Sequence, residues 1–280
     1  MEIRDNPVGM PRDLILVRHG ESEGNVVQEA AKRGDKRQMT EEYLARSAAD
    51  YRLSVDGRTQ ASRAGQWIRD WMDKEGFGDF DRMYCSPFAR ARETAATLAL
   101  PRAEWQLEPL LRERDWGLWE GLDKTATAER FPISTGQKVR NKFLWRPECG
   151  ENTPDVDTRA REMLGTFARE LPGRRVICVT HEDVMWAFRF RLEKMTVEEW
   201  LQHETSELPE HQIVNCAVLH YTRVAEDGTA GAKFLRVRLV DPADPSTSNT
   251  WQSITRPTFT NDDLLEQVAY IPPLWSSQDE

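Results

Sequence analysis

Long apolar runs are missing from this 280-residue sequence. No stretch approaches the roughly 18 consecutive apolar residues of a membrane-spanning helix, so we expect no transmembrane segment. The first residues, MEIRDNPVGMPRD, also lack the apolar core of a secretory signal peptide. Together these two absences predict a cytoplasmic protein.

Cysteine is scarce, and its placement gives no sign of a metal site. The four cysteines form no CxxC pair and match no zinc-site spacing. Cys85, Cys178 and Cys216 lie in apolar, strand-like segments, a setting typical of buried and reduced thiols. Three histidines also fit no metal triad by their spacing and receive no role: His203, His211 and His220.

An excess of basic residues is absent too. The 38 Lys and Arg residues against 47 Asp and Glu residues give a formal net charge of −9. This balance disfavours a nucleic-acid-binding protein, which needs a clustered basic surface. It does not disfavour a small anionic ligand, because salt confines fields to roughly 8–10 Å and one pocket can hold several arginines.

The segments that are present alternate between strand and helix patterns. Short apolar runs predict strands at 14–17, 81–85 and 175–180, with an extended piece at 105–110. One helix is predicted within 53–75, ending near Trp71 or Met72. Others are predicted at 88–99, 155–171, 183–192 and 196–203, and a hairpin at 214–222 and 232–240. This alternation predicts an α/β fold with a mostly parallel sheet.

Changes in composition suggest how the chain is divided. Residues 1–13 look like a loose arm, and 14–240 hold the strands and helices of one domain. Two polar stretches interrupt that domain, an insertion near 26–51 and a charged, Trp-rich excursion near 112–150 that we interpret as a lid. A Pro- and Ser-rich stretch then opens a C-terminal extension over 241–280.

Two histidines fall directly after predicted strands. His19 follows the run at 14–17, and His181 follows the run at 175–180. In an open α/β sheet, ligands bind at the carboxyl ends of the strands. We therefore expect these two imidazoles to lie at one site.

The segment around the first histidine, RHGESEGN, is suited to binding and attacking a phosphoryl group. The Arg18 guanidinium can grip two phosphate oxygens, and a partly neutral His19 imidazole can attack phosphorus. Gly20 lets the backbone approach the ligand closely, while Ser22 and Asn25 supply further hydrogen bonds.

Three later segments supply matching groups. Arg90 begins a predicted helix at a strand's carboxyl end and suits a phosphate dianion. Glu113, among tryptophans, is a candidate proton donor to a leaving alkoxide. His181 is placed to donate to a phosphoryl oxygen in the transition state.

Taken together, these segments resemble the histidine phosphatase superfamily, also called the phosphoglycerate mutase-like family. The resemblance covers roughly residues 14–222 and rests on RHGESEGN, SPFARARET, LRERDWGLWEG and VTHE in the family's order. Weaker signatures are LSVDGRTQA and GENTPDVDTR. The resemblance implies a three-layer α/β/α sandwich with a mostly parallel sheet, no metal and no cofactor.

The resemblance also implies roles for individual residues. His19 would carry the phosphoryl group, and Arg18, Arg90 and His181 would form the phosphate pocket. Glu113 would donate the proton. Ser22 and Asn25 match positions near the phosphate. The implied partner is a small phosphorylated substrate, with neither nucleic acid nor membrane.

The sequence departs from the family pattern in two places, and alternatives stay open there. Glu182 and Asp183 follow the second histidine where glycine is common, so both compete with Glu113 as proton donor. Glu23-Gly24 stands where phosphoglycerate mutases usually carry tryptophan, which weakens a mutase interpretation.

We therefore expect a metal-independent phosphomonoester hydrolase that acts through phosphohistidine. The alternatives are a phosphoglycerate mutase-type phosphoryl transferase and a non-catalytic phosphate-binding module. A homodimer formed through the hairpin edge near 214–240 is also left open.

Overall fold

The structure, a computed structural model, describes residues 9–208, 211–246 and 250–274. Within these ranges the strands form one mixed sheet of seven, in the order β3-β2-β4-β1-β5-β6-β7. Their bounds are β1 (Asp13–Arg18), β2 (Arg82–Cys85), β3 (Trp105–Leu107), β4 (Arg175–Thr180), β5 (Val218–Thr222), β6 (Arg236–Val240) and β7 (Gln252–Ser253). The strands β3, β2, β4 and β1 run parallel, and β5, β6 and β7 add antiparallel pairs.

Helices cover both faces of this sheet. Their bounds are α1 (Glu23–Lys32), α2 (Glu41–Ala45), α3 (Val55–Glu75), α4 (Ala89–Thr97), α5 (Lys124–Arg130), α6 (Pro132–Arg140), α7 (Thr153–Glu170), α8 (Glu182–Glu193), α9 (Val197–Glu204) and α10 (Asn261–Val268). The predicted α/β fold with helices on both sides of the sheet is confirmed.

The central strand β1 shows why helices pack on both faces of the sheet. In β1, Leu14 and Leu16 join the core cluster under α7 and α8, whereas Ile15 and Val17 join the cluster under α3 and α4. All four side chains are fully buried. Because successive side chains of a strand point to opposite faces, a continuous apolar run fits a strand that is covered on both sides.

The chain before β1 is tied to the domain rather than loose. The amide of Met10 donates to the carbonyl of Ala232 at 3.0 Å, and the amide of Arg12 donates to the carbonyl of Arg174 at 2.8 Å. The strand itself begins at Asp13, whose carboxylate lies 3.1 Å from Nε2 of His220. The expectation of a loose arm over 1–13 therefore fails for residues 10–13, and residues 1–8 lie outside the described ranges.

The predicted hairpin exists, but its strands are shorter than expected. Residues 214–217 form a turn in which Cys216 adopts a φ of 61°, and the amide of Cys216 donates to the carbonyl of His19 at 3.3 Å. The turn is thus held against the histidine segment instead of continuing the sheet. On the other side, β7 pairs with Arg236 and Val237 of β6. A homodimer through this edge stays a prediction.

The C-terminal extension contains structure that the sequence pattern did not predict. Trp251 packs its ring edge against His220, with centroids 4.8 Å apart, and precedes the short strand β7. Further along, α10 begins with a capping box between Thr260 and Asp263. That Thr-x-x-Asp spacing was the available signal for the helix.

No helix in the described part of the chain is both long and apolar enough to cross a membrane.

Candidate active site

The carboxyl ends of three neighbouring strands bring the predicted residues together. His19 follows β1, His181 follows β4, and Ser86 follows β2, which pairs with β4. The two imidazole centroids lie 5.0 Å apart. Both histidines are buried, with 2% and 0% of their surfaces exposed. The predicted pairing of His19 with His181 is therefore observed.

Hydrogen bonds fix the tautomer of His19. Its Nδ1 atom lies 2.7 Å from the carbonyl oxygen of Gly20. A carbonyl accepts only, so Nδ1 carries the ring proton and Nε2 carries the lone pair. Nε2 accepts a hydrogen bond from Nε of Arg90 at 3.1 Å. Burial, followed by the charges of Arg90 and Arg18, holds the pKa of His19 well below 6.5. The imidazole is therefore neutral near pH 7, as a nucleophile must be.

The turn that carries His19 is built by close backbone approach. A Cβ atom on Gly20 would lie 2.4 Å from the carbonyl oxygen of Gly57, and one on Gly57 would lie 2.0 Å from that of Glu21. The amide of Gly20 donates to Oγ1 of Thr94 at 3.0 Å. The glycine of the LSVDGRTQA signature thus lets α3 pack directly on the histidine turn.

Ser22 and Asn25 cap the helix that follows the turn. Each side chain bonds to the backbone of the other in a capping box at the start of α1. Ser22 also donates its hydroxyl to Oδ1 of Asn25 at 3.0 Å. Both residues line the cavity in front of His19. Because the Asn25 oxygen serves the cap, its amide nitrogen is the group left to donate to a ligand. Substrate binding by Ser22 and Asn25 stays a prediction.

Two guanidinium groups flank the nucleophile in different ways. Arg90 donates from Nη1 to the carbonyl of Ala48 at 2.6 Å and forms no ion pair with any described residue. Arg18 donates from Nη1 to the carbonyl of Ile213 at 2.5 Å, and its Nη2 lies 2.8 Å from Oε2 of Glu182. The buried Nε of Arg18 has no partner within the described ranges.

The second histidine is held by a serine. Nε2 of His181 lies 2.8 Å from Oγ of Ser86, which accepts from the amide of Phe88 at 3.3 Å. This pair is satisfied when Ser86 donates its hydrogen to Nε2, so that the ring proton sits on Nδ1. The Nδ1 atom is buried without a hydrogen-bond partner among described residues and lies 3.7 Å from Oε2 of Glu113. In that tautomer Nδ1 is a free donor at the site.

Glu113 has the properties of a general acid. Burial, and next the negative charge of Asp183, raise the pKa of Glu113 to about 8. Its Oε1 accepts from the amide of Arg114 at 2.9 Å, which leaves Oε2 facing His181. Glu113 lines the cavity, whereas Glu182 and Asp183 are not among its lining residues. Glu182 is also held in the ion pair with Arg18. This geometry favours Glu113 over both competitors.

A cavity of about 1030 Å³ lies in front of His19. The two interrupting stretches of the sequence form its walls: residues of 26–51 on one side, such as Gln28 and Tyr43, and residues of 112–150 on the other. Trp116, Trp119 and Lys138 lie on the second wall. Ligand selection is expected to depend on these two stretches.

Three side chains at this site lie close enough together to hold a metal ion, but the neighbouring positive charges oppose its binding. One ligand atom from each of His19, Glu113 and His181 lies within 4.8 Å of the others. The cations Arg18 and Arg90 stand at the same place and lower the pKa of both histidines. They oppose binding of another positive charge and favour an anion.

Two residues that shape the site, Ser86 and Asn215, received no role from the sequence. Ser86 was part of a recognised segment, but its contact joins residues 95 positions apart. Asn215 donates from Nδ2 to the carbonyl of His19 at 3.1 Å and approaches Oδ1 of Asn25 at 3.4 Å. The only sequence signal for Ser86 was its position directly after a strand, and Asn215 had none.

Two imidazoles, two guanidinium groups and a carboxyl group thus lie together at the carboxyl ends of parallel strands, an arrangement that suits the binding of an anion. The chain matches the sequence profile of the histidine phosphatase superfamily (branch 1) over residues 14–218, and it belongs to that superfamily.

Individual relatives are distant. The chain is 28% identical over 198 residues to the 2,3-bisphosphoglycerate-dependent phosphoglycerate mutase of Rhizobium etli, covering 69% of this chain and 85% of the mutase. It is 27% identical over 176 residues to the 6-phosphofructo-2-kinase/fructose-2,6-bisphosphatase of Caenorhabditis elegans, covering 63% of this chain but 33% of that protein. Among solved structures, the alpha-ribazole phosphatase from Shigella flexneri shares the fold with a TM-score of 0.59 and 19% identity, over 79% of this chain and 95% of its own.

Proposed function

We propose that this protein hydrolyses small phosphomonoesters through a phosphohistidine on His19, without a metal ion. The observation that carries the proposal is the state of His19: its proton is held on Nδ1 by the carbonyl of Gly20 at 2.7 Å, and its Nε2 lone pair faces Arg90. A neutral imidazole with a directed lone pair is an activated nucleophile.

The reaction then proceeds in two displacements. In the first, Nε2 of His19 attacks phosphorus, the bond to the leaving oxygen breaks, and Glu113 gives that oxygen its proton. In the second, a water attacks phosphorus, the phosphorus–nitrogen bond breaks, and the Glu113 carboxylate takes the proton from the water. Inorganic phosphate leaves, and both His19 and Glu113 return to their starting states.

Charge stabilisation comes from fixed donors around the phosphoryl group. The Nδ1–H of the neutral His181 ring donates a hydrogen bond, and the guanidinium groups of Arg18 and Arg90 supply positive charge, where the transition state is negative. Because these groups are already in place, no divalent cation is needed to neutralise the phosphate. Metal independence is part of the proposal and is tested with it.

A mutase remains the second candidate because relatives named phosphoglycerate mutase match most of the domain. A mutase returns the phosphoryl group to a hydroxyl instead of to water, so it must exclude water from the phosphoenzyme. The large cavity in front of His19 supports hydrolysis. Activity that depends on a bisphosphate primer would identify the mutase instead.

The test is turnover of an aryl phosphate in the presence of EDTA, with acid-labile phosphate on the protein measured in parallel. We expect the wild-type protein to turn over and to label, and His19→Ala to do neither. His211→Ala is the matched control, because His211 stacks on His203 at 4.0 Å, outside the cavity lining. It should keep both properties.

The remaining outcomes separate the alternatives. Labelling without turnover would favour the mutase, and loss of turnover in EDTA that zinc or magnesium restores would refute metal independence. Phosphate binding with neither labelling nor turnover, across a panel of natural phosphoesters, would favour the non-catalytic module. We also propose a cytoplasmic setting, which four free cysteines support.

A further inference from the structure

The ion pair between Arg18 and Glu182 stands beside the phosphate site and has no part in the reaction steps above. Glu182 is the first residue of α8, directly after His181. Its Oε2 atom lies 2.8 Å from Nη2 of Arg18, a residue that lines the cavity in front of His19. Glu182 itself does not belong to the cavity lining. Its direct contact with the site is therefore through the guanidinium group, and its charge also acts on Glu113.

The guanidinium of Arg18 is fixed from two sides. Nη1 is bound to the carbonyl of Ile213 at 2.5 Å, and Nη2 is bound to Glu182. Nε is left buried and without a partner among described residues. Since a guanidinium carries five N–H donors, the Nε–H and the second hydrogen of each Nη remain for a phosphoryl oxygen. The contacts with Ile213 and Glu182 hold these donors in one place.

The ion pair between Arg18 and Glu182 also changes the net charge next to a bound phosphate group. Arg90 forms no direct ion pair among the described residues, although Glu113 and Glu120 lie near enough to act on its charge, whereas Arg18 has Glu182 as its direct counter-ion. A phosphate dianion bound between the two arginines is attracted by both guanidinium groups and repelled by the Glu182 carboxylate behind one of them. Repulsion of this kind weakens the binding of substrate and of product phosphate alike.

We infer that Glu182 is a positioning residue that fixes Arg18 and lowers the affinity of the site for phosphate, thereby favouring release of the product. The inference rests on the proposed function, because it assumes that the site binds phosphate. It assigns to Glu182 a role different from proton donation.

Two substitutions separate the two effects of Glu182. Glu182→Gln keeps an oxygen that accepts from Arg18 but removes the charge, so phosphate should bind about 3- to 10-fold more tightly. Glu182→Ala removes the charge and the acceptor together, so Arg18 loses its anchor. Phosphate should therefore bind less tightly to the Ala variant than to the Gln variant.

The control is Glu204→Gln, which removes one negative charge from a carboxylate paired with Lys142 instead of with Arg18. The readouts are the dissociation constant of inorganic phosphate from calorimetry, and kcat and KM for aryl phosphates with leaving groups of different acidity. We expect the control to bind phosphate like the wild type. We also expect Glu182→Gln to lower KM without changing how kcat depends on the leaving group.

Each outcome decides the inference. Tighter phosphate binding by Glu182→Gln alone supports it, and a purely structural defect would not tighten binding. Equal binding by wild type and Glu182→Gln, or equal tightening by the Glu204 control, overturns it while leaving the proposed function standing. A steeper dependence on leaving-group acidity in Glu182→Gln would make Glu182 a proton donor and also overturn it. Absence of phosphate binding in every variant would overturn the inference and the proposed function together.

Discussion

Oε2 of Glu113 lies 3.7 Å from Nδ1 of His181, so a carboxyl group and an imidazole face each other beside His19. Burial and the neighbouring Asp183 charge raise the pKa of Glu113 to about 8. Burial and the Arg90 charge hold the pKa of His181 well below 6.5. At neutral pH the pair is therefore a protonated acid beside a neutral ring, and neither group forms a fixed ion pair that a phosphate would have to break.

This assignment predicts the pH dependence of activity. Glu113 donates a proton only while it is protonated, so kcat/KM for an alkyl phosphate should fall as pH rises through about 8. The low pKa of His19 means that its lone pair stays available well below pH 6.5, and the acidic side of the profile should stay flat there. Steady-state rates between pH 5 and pH 9 (about two units on either side of neutrality) measure both limbs.

The same shift links Glu113 to stability. Its pKa is higher in the folded protein, about 8 against 4.5, so the folded state binds the proton more tightly. The stabilisation is complete below about pH 4.5 and is lost as pH rises toward 8. Glu113→Gln should remove this dependence from the free energy of unfolding. A variant that keeps the wild-type slope would place the perturbed group elsewhere.

A third prediction concerns the leaving group. Glu113→Ala should slow the hydrolysis of alkyl phosphates by about 100- to 10,000-fold, the range typical for loss of a general acid. It should slow first-step labelling by an aryl phosphate with an acidic phenol far less, because such a leaving group needs no proton. Rapid-quench measurement of acid-labile phosphate on His19 separates this step from hydrolysis. An equal loss for both substrate classes would argue against Glu113 as the donor.

A fourth prediction follows from the hydrogen bond between Ser86 and His181. Ser86→Ala removes the donor that holds the ring proton on Nδ1, so the proton is free to move to Nε2. We expect kcat to drop at least about 10-fold while KM changes little, because the affected donor acts mainly in the transition state.

Ser134→Ala is the matched control for this variant. Ser134 is a buried serine whose Oγ accepts from the indole nitrogen of Trp145 at 3.0 Å, in α6 and not at the strand ends. It should lose thermal stability without losing kcat. If Ser86→Ala and Ser134→Ala behave alike, Ser86 has only a structural role.

The part of the site that follows from the sequence is the part carried by local pattern. His19 and His181 could be paired because each follows an apolar run, and the ends of parallel strands share one edge of a sheet. Glu113 could be favoured because the family pattern around it, LRERDWGLWEG, is intact.

What the sequence could not supply depends on contacts between distant segments. Glu182 was a competing acid until its ion pair with Arg18, a residue 164 positions away, became visible. Asn215 reaches the carbonyl of His19 from a turn in what appeared to be a strand. The helix α10 was missed because it is only eight residues long, although Leu264, Leu265 and Val268 follow the cap at Thr260 at helical spacing.

The last prediction tests the backbone contact that supports the histidine turn. A Cβ atom on Gly57 would lie 2.0 Å from the carbonyl oxygen of Glu21, so Gly57→Ala must push α3 away from the turn. We expect a loss of about 1–3 kcal/mol in the free energy of unfolding, as for other overpacked sites. Displacement of the turn should also lower kcat/KM more than the stability loss explains, since His19 sits on it.

Gly136→Ala is the control, because Gly136 lies within α6 with nothing within 4 Å of an added Cβ. There, alanine should stabilise the protein by up to about 1 kcal/mol without changing the rate. Urea unfolding and kcat/KM measured on both variants decide the matter. A Gly57→Ala protein with wild-type kcat/KM would show that the position of His19 does not depend on this contact.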